Sequence, residues 1–347
     1  MKFEAITIKD IAKALGISTS TVSRALRDSY EISPETKQLV LDCAQKLNYS
    51  PNPAALSLKE RRTRSIGVVV CEIANNFFSQ VINGIESIAY DRGYNIIITQ
   101  SNESYERESM DLQYLASRSV DGLIISLSVE TNDLSHLRAL HEKGFPIVLF
   151  DRVTDEIYTH SVVVDNFKGA YEATEHLIKN GYKKIAAIAN SEFLSITQER
   201  LAGYREALLA HGMKYNSTYV KHCFYGGMVF SEIEEAVNKL YTLKQRPDAI
   251  VATSDKLTTG CLKTLIRRGL KVPDDMALVG FSNTDIAELI NPSLSVVRQP
   301  AMEMGQAAIE LLLQMIESKR PITQFERRVL TPQLNIGDST RRKNIVE

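Results

Sequence analysis

Ile8-Lys-Asp-Ile-Ala-Lys-Ala-Leu-Gly-Ile-Ser-Thr-Ser-Thr-Val-Ser-Arg-Ala25 reads as a helix, a glycine turn and a second helix, with small or apolar residues wherever two crossing helices must touch. Thr7 is placed to cap the first helix, its hydroxyl over the orphan amide near Asp10, and Ile8, Ile11, Ala12 and Leu15 share one face. Gly16 stops it. Ser18 caps the next helix, in which Val22, Ala25 and Leu26 point inward while Thr19, Ser20, Ser23, Arg24 and Arg27 point out. Short hydroxyls and an arginine at the front of a second helix suit the donors, acceptors and thymine methyls of a DNA major groove, and Arg24 is the candidate for a bidentate contact to guanine. The plainer alternative is a helical hairpin with a solvated polar face. Ser33 and Pro34 open a third helix expected to bury Leu39, Val40, Cys43 and Leu47, so residues 1–50 form a small all-α helix-turn-helix headpiece.

At 347 residues the chain is too long for one ordinary domain and suggests two or three compact units, and its charge is unevenly spread. Residues 1–65 carry eleven Lys or Arg against seven Asp or Glu, an excess of +4, whereas the rest carries thirty against thirty-five, or −5. A mildly basic module on an acidic body fits phosphate contact at one end only. No apolar run approaches the roughly 20 residues that cross a bilayer, and residues 1–16 lack the apolar core of a secretion signal, so a cytoplasmic protein without a membrane partner is expected. Cys43, Cys71, Cys223 and Cys261 are scattered among apolar neighbours and are expected to be reduced core thiols. The six histidines show no metal-ligand spacing, and no cofactor is implied.

Beyond residue 65 strand and helix alternate. Short β-rich runs at 66–71, 95–99, 122–126 and 146–150 are followed by a second series at 161–164, 184–189, 249–253 and 277–281, which implies two doubly wound parallel sheets in two lobes. Ligands in such sheets bind beyond the carboxyl ends of the strands. Segments 72–78, 151–152, 165–166, 190–200, 254–255 and 282–285 should therefore line a cleft between the lobes. They are rich in carboxylates, amides, hydroxyls and arginine, with Phe77, Phe78 and Tyr225 as aromatic members, a mixture suited to a polyhydroxylated ligand. Asp255 is equally readable as a helix cap. Between headpiece and body, residues 51–64 form a linker in which Asn52 and Pro53 can open a short helix carrying Ala55, Leu56 and Leu58, followed by Lys59, Arg61, Arg62 and Arg64. So short a helix is marginal alone in water, which makes its folding available as a switch.

Six segments carry a resemblance: Thr7-Ile-Lys-Asp-Ile-Ala, Ser18-Thr-Ser-Thr-Val-Ser-Arg, Leu47-Asn-Tyr-Ser-Pro-Asn, Ser65-Ile-Gly-Val, Arg200-Leu-Ala-Gly-Tyr and Val279-Gly-Phe. From Thr7 to Pro332 the chain resembles the lactose and galactose repressor (LacI/GalR) family of bacterial transcriptional regulators. The resemblance implies a homodimer on a pseudopalindromic operator, with a periplasmic-binding-protein-like (type I) core over residues 65–340. It implies Thr19, Ser20, Ser23 and Arg24 as major-groove readers, and Leu58 as a hinge wedge in the minor groove with Ala55 and Lys59 beside it. It further implies effector contacts from Asp151, Arg200 and Asp255, with Phe77 and Tyr225 near stacking positions. Relatives often have aspartate where this chain has Ser282, and 192–197 matches no sugar or purine pattern. The first lobe is expected at about residues 65–162 and 295–322 and the second at about 163–294 and 323–340.

The expectation is thus a sequence-specific DNA-binding regulator, most simply a repressor, controlled by a small effector of carbohydrate type. A sugar receptor without a DNA role would carry a secretion signal and no headpiece. An α/β enzyme would be expected to show a phosphate-binding loop, a dinucleotide fingerprint or a nucleophile elbow, and none is present.

Overall fold

The computed structural model describes residues 6–49 and 62–342. The chain divides into two units between Thr63 and Arg64, each of which is described by itself.

In the first unit, α1 (Ile8–Leu15), α2 (Thr19–Ala25) and α3 (Pro34–Lys46) follow the local signals. The Asp10 carboxylate accepts from the amide and hydroxyl of Thr7 at 2.8 and 2.7 Å, within the capping box that opens α1. Gly16 ends α1 at φ 66, and a Cβ there would meet nothing, so the left-handed backbone alone selects glycine. Ser18 accepts from the Thr21 amide at 3.1 Å and Ser33 from the Thr36 amide at 3.3 Å. Ile11, Ala12, Val22, Ala25, Val40 and Ala44 form the core, each large member contributing about 1.5–3 kcal/mol by burial. Leu39 departs from expectation. It is 57% exposed, because the buried stripe of α3 runs through Val40, Cys43, Ala44 and Leu47, leaving position 39 a quarter turn away.

The second unit holds two six-stranded sheets. The first contains β1 (Ser65–Val70), β2 (Asn95–Gln100), β3 (Gly122–Ile125), β4 (Ile147–Phe150), β5 (His160–Val164) and β11 (Arg327–Leu330), in the order β11-β5-β4-β3-β1-β2, all parallel. The second contains β6 (Ile185–Ala189), β7 (Val220–His222), β8 (Ala249–Ala252), β9 (Ala277–Phe281), β10 (Ser295–Arg298) and β12 (Gln333–Asn335), in the order β12-β10-β9-β8-β6-β7, with β12 antiparallel. Helices cover both faces: α4 (Asn76–Asp91), α5 (Tyr105–Ser117), α6 (Ser135–His141) and α11 (Ala301–Glu317) in the first lobe, and α7 (Asn166–Lys179), α8 (Ser195–Ala210), α9 (Phe230–Tyr241) and α10 (Asp255–Arg267) in the second. Gly84 of α4 and Gly305 of α11 let these helices meet backbone to backbone, since a Cβ at either would strike the carbonyl of Met302 or Val81. No described helix is long and apolar enough to cross a membrane.

Three strand assignments correct the sequence reading. β5 does not open the second sheet but pairs with β4, Val148 opposite His160. β10 (Ser295–Arg298), expected in the first lobe, pairs with β9 in the second, and β11 (Arg327–Leu330), expected in the second, pairs with β5 in the first. The reason is that the chain completes a strand on the lobe it is leaving and changes lobes only after it, near residues 165, 299–300 and 331–332. The four inner strands of each sheet, β1, β3, β4 and β5 in the first and β6, β8, β9 and β10 in the second, are buried or nearly so, and all three passages lie at the carboxyl ends of strands, where a cleft is expected.

Candidate functional site

On the headpiece, Thr19, Ser20 and Arg24 are exposed and Ser23 is half-buried, all on the face of α2 opposite Val22 and Ala25. Arg24 Nη1 lies 2.9 Å from Glu31, leaving its Nε edge turned elsewhere. Arg27 is folded back, donating to the Ser23 carbonyl at 2.8 Å and to its hydroxyl at 2.9 Å. Ala55, Leu58 and Lys59 lie outside the described residues. Arg64, expected as part of the linker charge run, packs over the Tyr94 ring at 5.8 Å.

Between the lobes the structure sets Asp151 near Arg200 and joins Asp255 to Ser282, and it takes Phe77 and Phe78 into the core of the first lobe. Asp151 follows β4 at φ 56, a left-handed conformation that costs energy for a residue with a Cβ, and its carboxylate is buried. Arg200, from α8 of the other lobe, is 2% exposed; it donates to Asn166 at 2.8 Å and to the Thr253 carbonyl at 2.5 Å, and its guanidinium lies 3.9 Å over the Phe281 ring. Burial pulls the Arg200 pKa down to about 10, with Asp151 opposing that fall. Burial likewise raises Asp151 above the usual carboxylate range, against the attraction of Arg200 and Arg152. Asp255, the first residue of α10, is not a cap of its own helix: it accepts from the Ser282 hydroxyl and the Asn283 amide, and burial raises its pKa.

The expected aromatic cover is arranged differently. Phe77 and Phe78 are buried in the core of the first lobe, edge to face at 5.2 Å, and Phe78 meets Phe150 at 6.2 Å. Apolar neighbours on α4 and β4 claim both rings, so they stiffen the wall. Tyr225 stands 55% exposed on a loop of the second lobe, beside Gly226, whose missing side chain makes room for Glu103 of the first lobe.

Sequence reasoning missed Glu103, Gln80 and Lys256. Glu103 follows β2 at φ 65 and forms a two-pronged ion pair with Arg152 at 2.5 and 2.9 Å. Burial disfavours the Glu103 charge, but Arg152 overrides this and holds its pKa below the ordinary value. The strand-end rule applied to β2 points straight to it. Gln80 and Lys256 lie inside helices and carry no local signal. Gln80 exchanges hydrogen bonds with Asn283 at 2.8 and 3.3 Å, and Lys256 reaches Glu72 at 2.7 Å, so both bridge the lobes. The walls of the cleft are thus in contact, whereas a 560 Å³ recess bounded by Phe193, Gln198, Tyr215 and His222 opens on the flank of the second lobe and contains none of the expected effector residues. Among the described residues no group of three or more His, Cys, Asp or Glu is arranged to hold a metal.

Comparison with known proteins accounts for both units. The pattern of the bacterial regulatory proteins of the lacI family matches residues 7–52, and that of a periplasmic binding protein-like domain matches residues 174–340. The HTH-type transcriptional repressor PurR of Vibrio campbellii is 32% identical over 340 residues, 97% of this chain and 99% of that protein. The structure of a transcriptional regulator CelR–cellobiose complex matches with a TM-score of 0.71 at 31% identity, covering 96% of this chain and 99% of that one. A lac repressor dimer bound to operator shares the fold, with a TM-score of 0.81 at 23% identity over 97% and 99% of the two chains. A helix-turn-helix headpiece followed by a two-lobed core agrees with both patterns, and the chain belongs to the lacI family of bacterial DNA-binding regulatory proteins.

Proposed function

We propose that this regulator is a repressor whose grip on a pseudopalindromic operator, as a cytoplasmic homodimer, is set by a carbohydrate effector bound between the lobes. The observation that carries the effector site is the pair Asp151 and Arg200, two buried charges from opposite lobes that attract each other across the cleft. Isolated charges are costly in such a place, and a ligand with hydroxyl groups gives both a partner. The cellobiose complex of the CelR relative supports a saccharide. Thr19, Ser20, Ser23 and Arg24 read base edges, with Leu58 wedging the operator centre beside Ala55 and Lys59. Ligand held by Asp151 and Arg200, with Asp255 and Ser282 at its far side and Tyr225 at the cleft mouth, changes the balance of lobe contacts at Glu72–Lys256 and Gln80–Asn283. The effector shifts operator affinity only by its differential affinity for the two core states, commonly a coupling of about 1–3 kcal/mol. The relatives compared are regulators, and no turnover is part of this reading. Binding-site selection with the full chain, with and without saccharides, tests it: a two-fold symmetric site whose enrichment responds to a sugar is expected, and a pool without sequence enrichment would overturn it.

A further inference from the structure

The 560 Å³ recess on the flank of the second lobe is bounded by α8 and by β7, the edge strand of its sheet, and its polar groups are mostly of one kind. The Gln198 amide nitrogen donates to the Glu192 carbonyl at 2.9 Å, which leaves the side-chain oxygen of Gln198 without a donor. Nδ1 of His222 donates to the Asn190 carbonyl at 2.8 Å, which leaves Nε2, an acceptor in the neutral ring. The Glu192 carboxylate is exposed and unpaired among the described residues. No lysine or arginine lines the recess, and Lys221, between Val220 and His222 on β7, lines a separate one. Three acceptors, one of them charged, are thus on offer, and only the hydroxyls of Tyr215 and Ser217 can also donate. Leu201 and Val220 supply apolar surface, and Phe193, 80% exposed, presents an open aromatic ring. The other ring, Tyr215, already has Arg205 over it at 5.4 Å, so Phe193 is the face left for a ligand.

These features select a ligand class. An anion meets the Glu192 carboxylate and finds no cation, and a neutral ligand poor in donors leaves the acceptors unmatched. An ammonium or guanidinium gives N–H groups to the acceptors and sets its charge over the ring of Phe193. A bare ammonium ion fills little of the space and touches nothing apolar, so the cation has to be carried on an apolar body that packs against Leu201 and Val220.

We propose that this recess is a second ligand site, separate from the cleft between the lobes, and that it binds a small organic cation, an amine or guanidine on an apolar body. The test titrates the full chain, by calorimetry and thermal shift, with phenethylamine and with phenethyl alcohol and phenylacetate, which carry a hydroxyl or a carboxylate in place of the ammonium. Agmatine is the guanidine probe and ammonium chloride the bare ion. Phenethylamine or agmatine should bind at least about tenfold more tightly than phenethyl alcohol, and phenylacetate and ammonium more weakly still. Glu192→Gln and Phe193→Ala change exposed side chains, and melting without ligand reports that both variants fold. Each should weaken binding of the cation by about fivefold or more. Phe193→Leu keeps the apolar contact but removes the π face, so it should weaken phenethylamine and leave phenethyl alcohol unchanged, a split that a merely structural role would not give. Binding of the alcohol or the acid as tight as that of the amine, cation binding that survives both Glu192→Gln and Phe193→Ala, or no binding by either cation overturns the proposal. Saccharide control of operator binding is measured separately, and its failure would leave this result standing.

Discussion

Arg24 must choose between Glu31 and a guanine, and magnitudes decide the choice. Both ends of the Arg24–Glu31 pair are about half exposed, where such pairs contribute about 0–1 kcal/mol, whereas a bidentate guanine contact discriminates by about 1–3 kcal/mol. The base wins, and Arg24→Ala is expected to cost about 1–3 kcal/mol on the operator and relax one base position, as read by repeating the binding-site selection. In the core, burial works against the charge of the Asp255 carboxylate. Its folded pKa lies above the ordinary 3.8, so ionisation costs stability at neutral pH, and the cost fades as pH falls through the raised value towards 3.8. Asp255→Asn should therefore stabilise the effector-free protein at pH 7 by about 0.5–2 kcal/mol, seen as a higher Tm, while weakening effector binding. Melting curves of both proteins from pH 7 to pH 4 should show the advantage shrinking with acid; an advantage that grows would contradict the assignment.

At the scale of elements, the headpiece was legible because its signals are local. Thr7, Gly16, Ser18, Ser33 and Pro34 each act within four residues of where they stand, and all five do what their chemistry dictates. Ser18→Ala should cost about 1 kcal/mol of headpiece stability and leave the melting of the core unchanged in calorimetry. The cleft was legible only where strand ends announce it, at Asp151, Asp255 and Ser282. Arg200 stands within a helix and was found through its place after β6 and the motif around it. Gln80 and Lys256 gave no signal, because an exposed-looking polar residue in a helix acquires its meaning only when another lobe arrives opposite. Leu39 shows the same limit in reverse: apolar character alone does not fix the phase of a buried stripe.

For the whole molecule, what matters is how firmly the lobes hold each other. The Glu72–Lys256 pair and the Gln80–Asn283 exchange join the two walls of the cleft, yet the pair is partly exposed and contributes only about 0–1 kcal/mol, so a ligand can rebalance it. Lys256→Gln is expected to shift the core towards an open form, seen as a larger radius of gyration in solution scattering and a sharper contraction when saccharide is added. An unchanged radius would show that the latch does not set the balance. The exchange of β10 and β11 between lobes was hidden from sequence inspection for a related reason. The partners of strands added late in the chain are fixed by which sheet still offers a free edge in three dimensions, and nothing in Ser295–Arg298 or Arg327–Leu330 states it.

That exchange bears on how the gene tolerates damage. The last two strands, β11 and β12, complete opposite sheets, so a premature stop or proteolytic cut shortly after Glu317 removes one edge from each lobe at once. Neither lobe can be expressed as an uninterrupted fragment, whereas the headpiece, contiguous up to Tyr49, can be grafted or replaced as a block. Exchange of specificity by recombination is therefore easy at the DNA end of this chain and blocked within the core, where new ligand preferences must arise by substitution at the cleft.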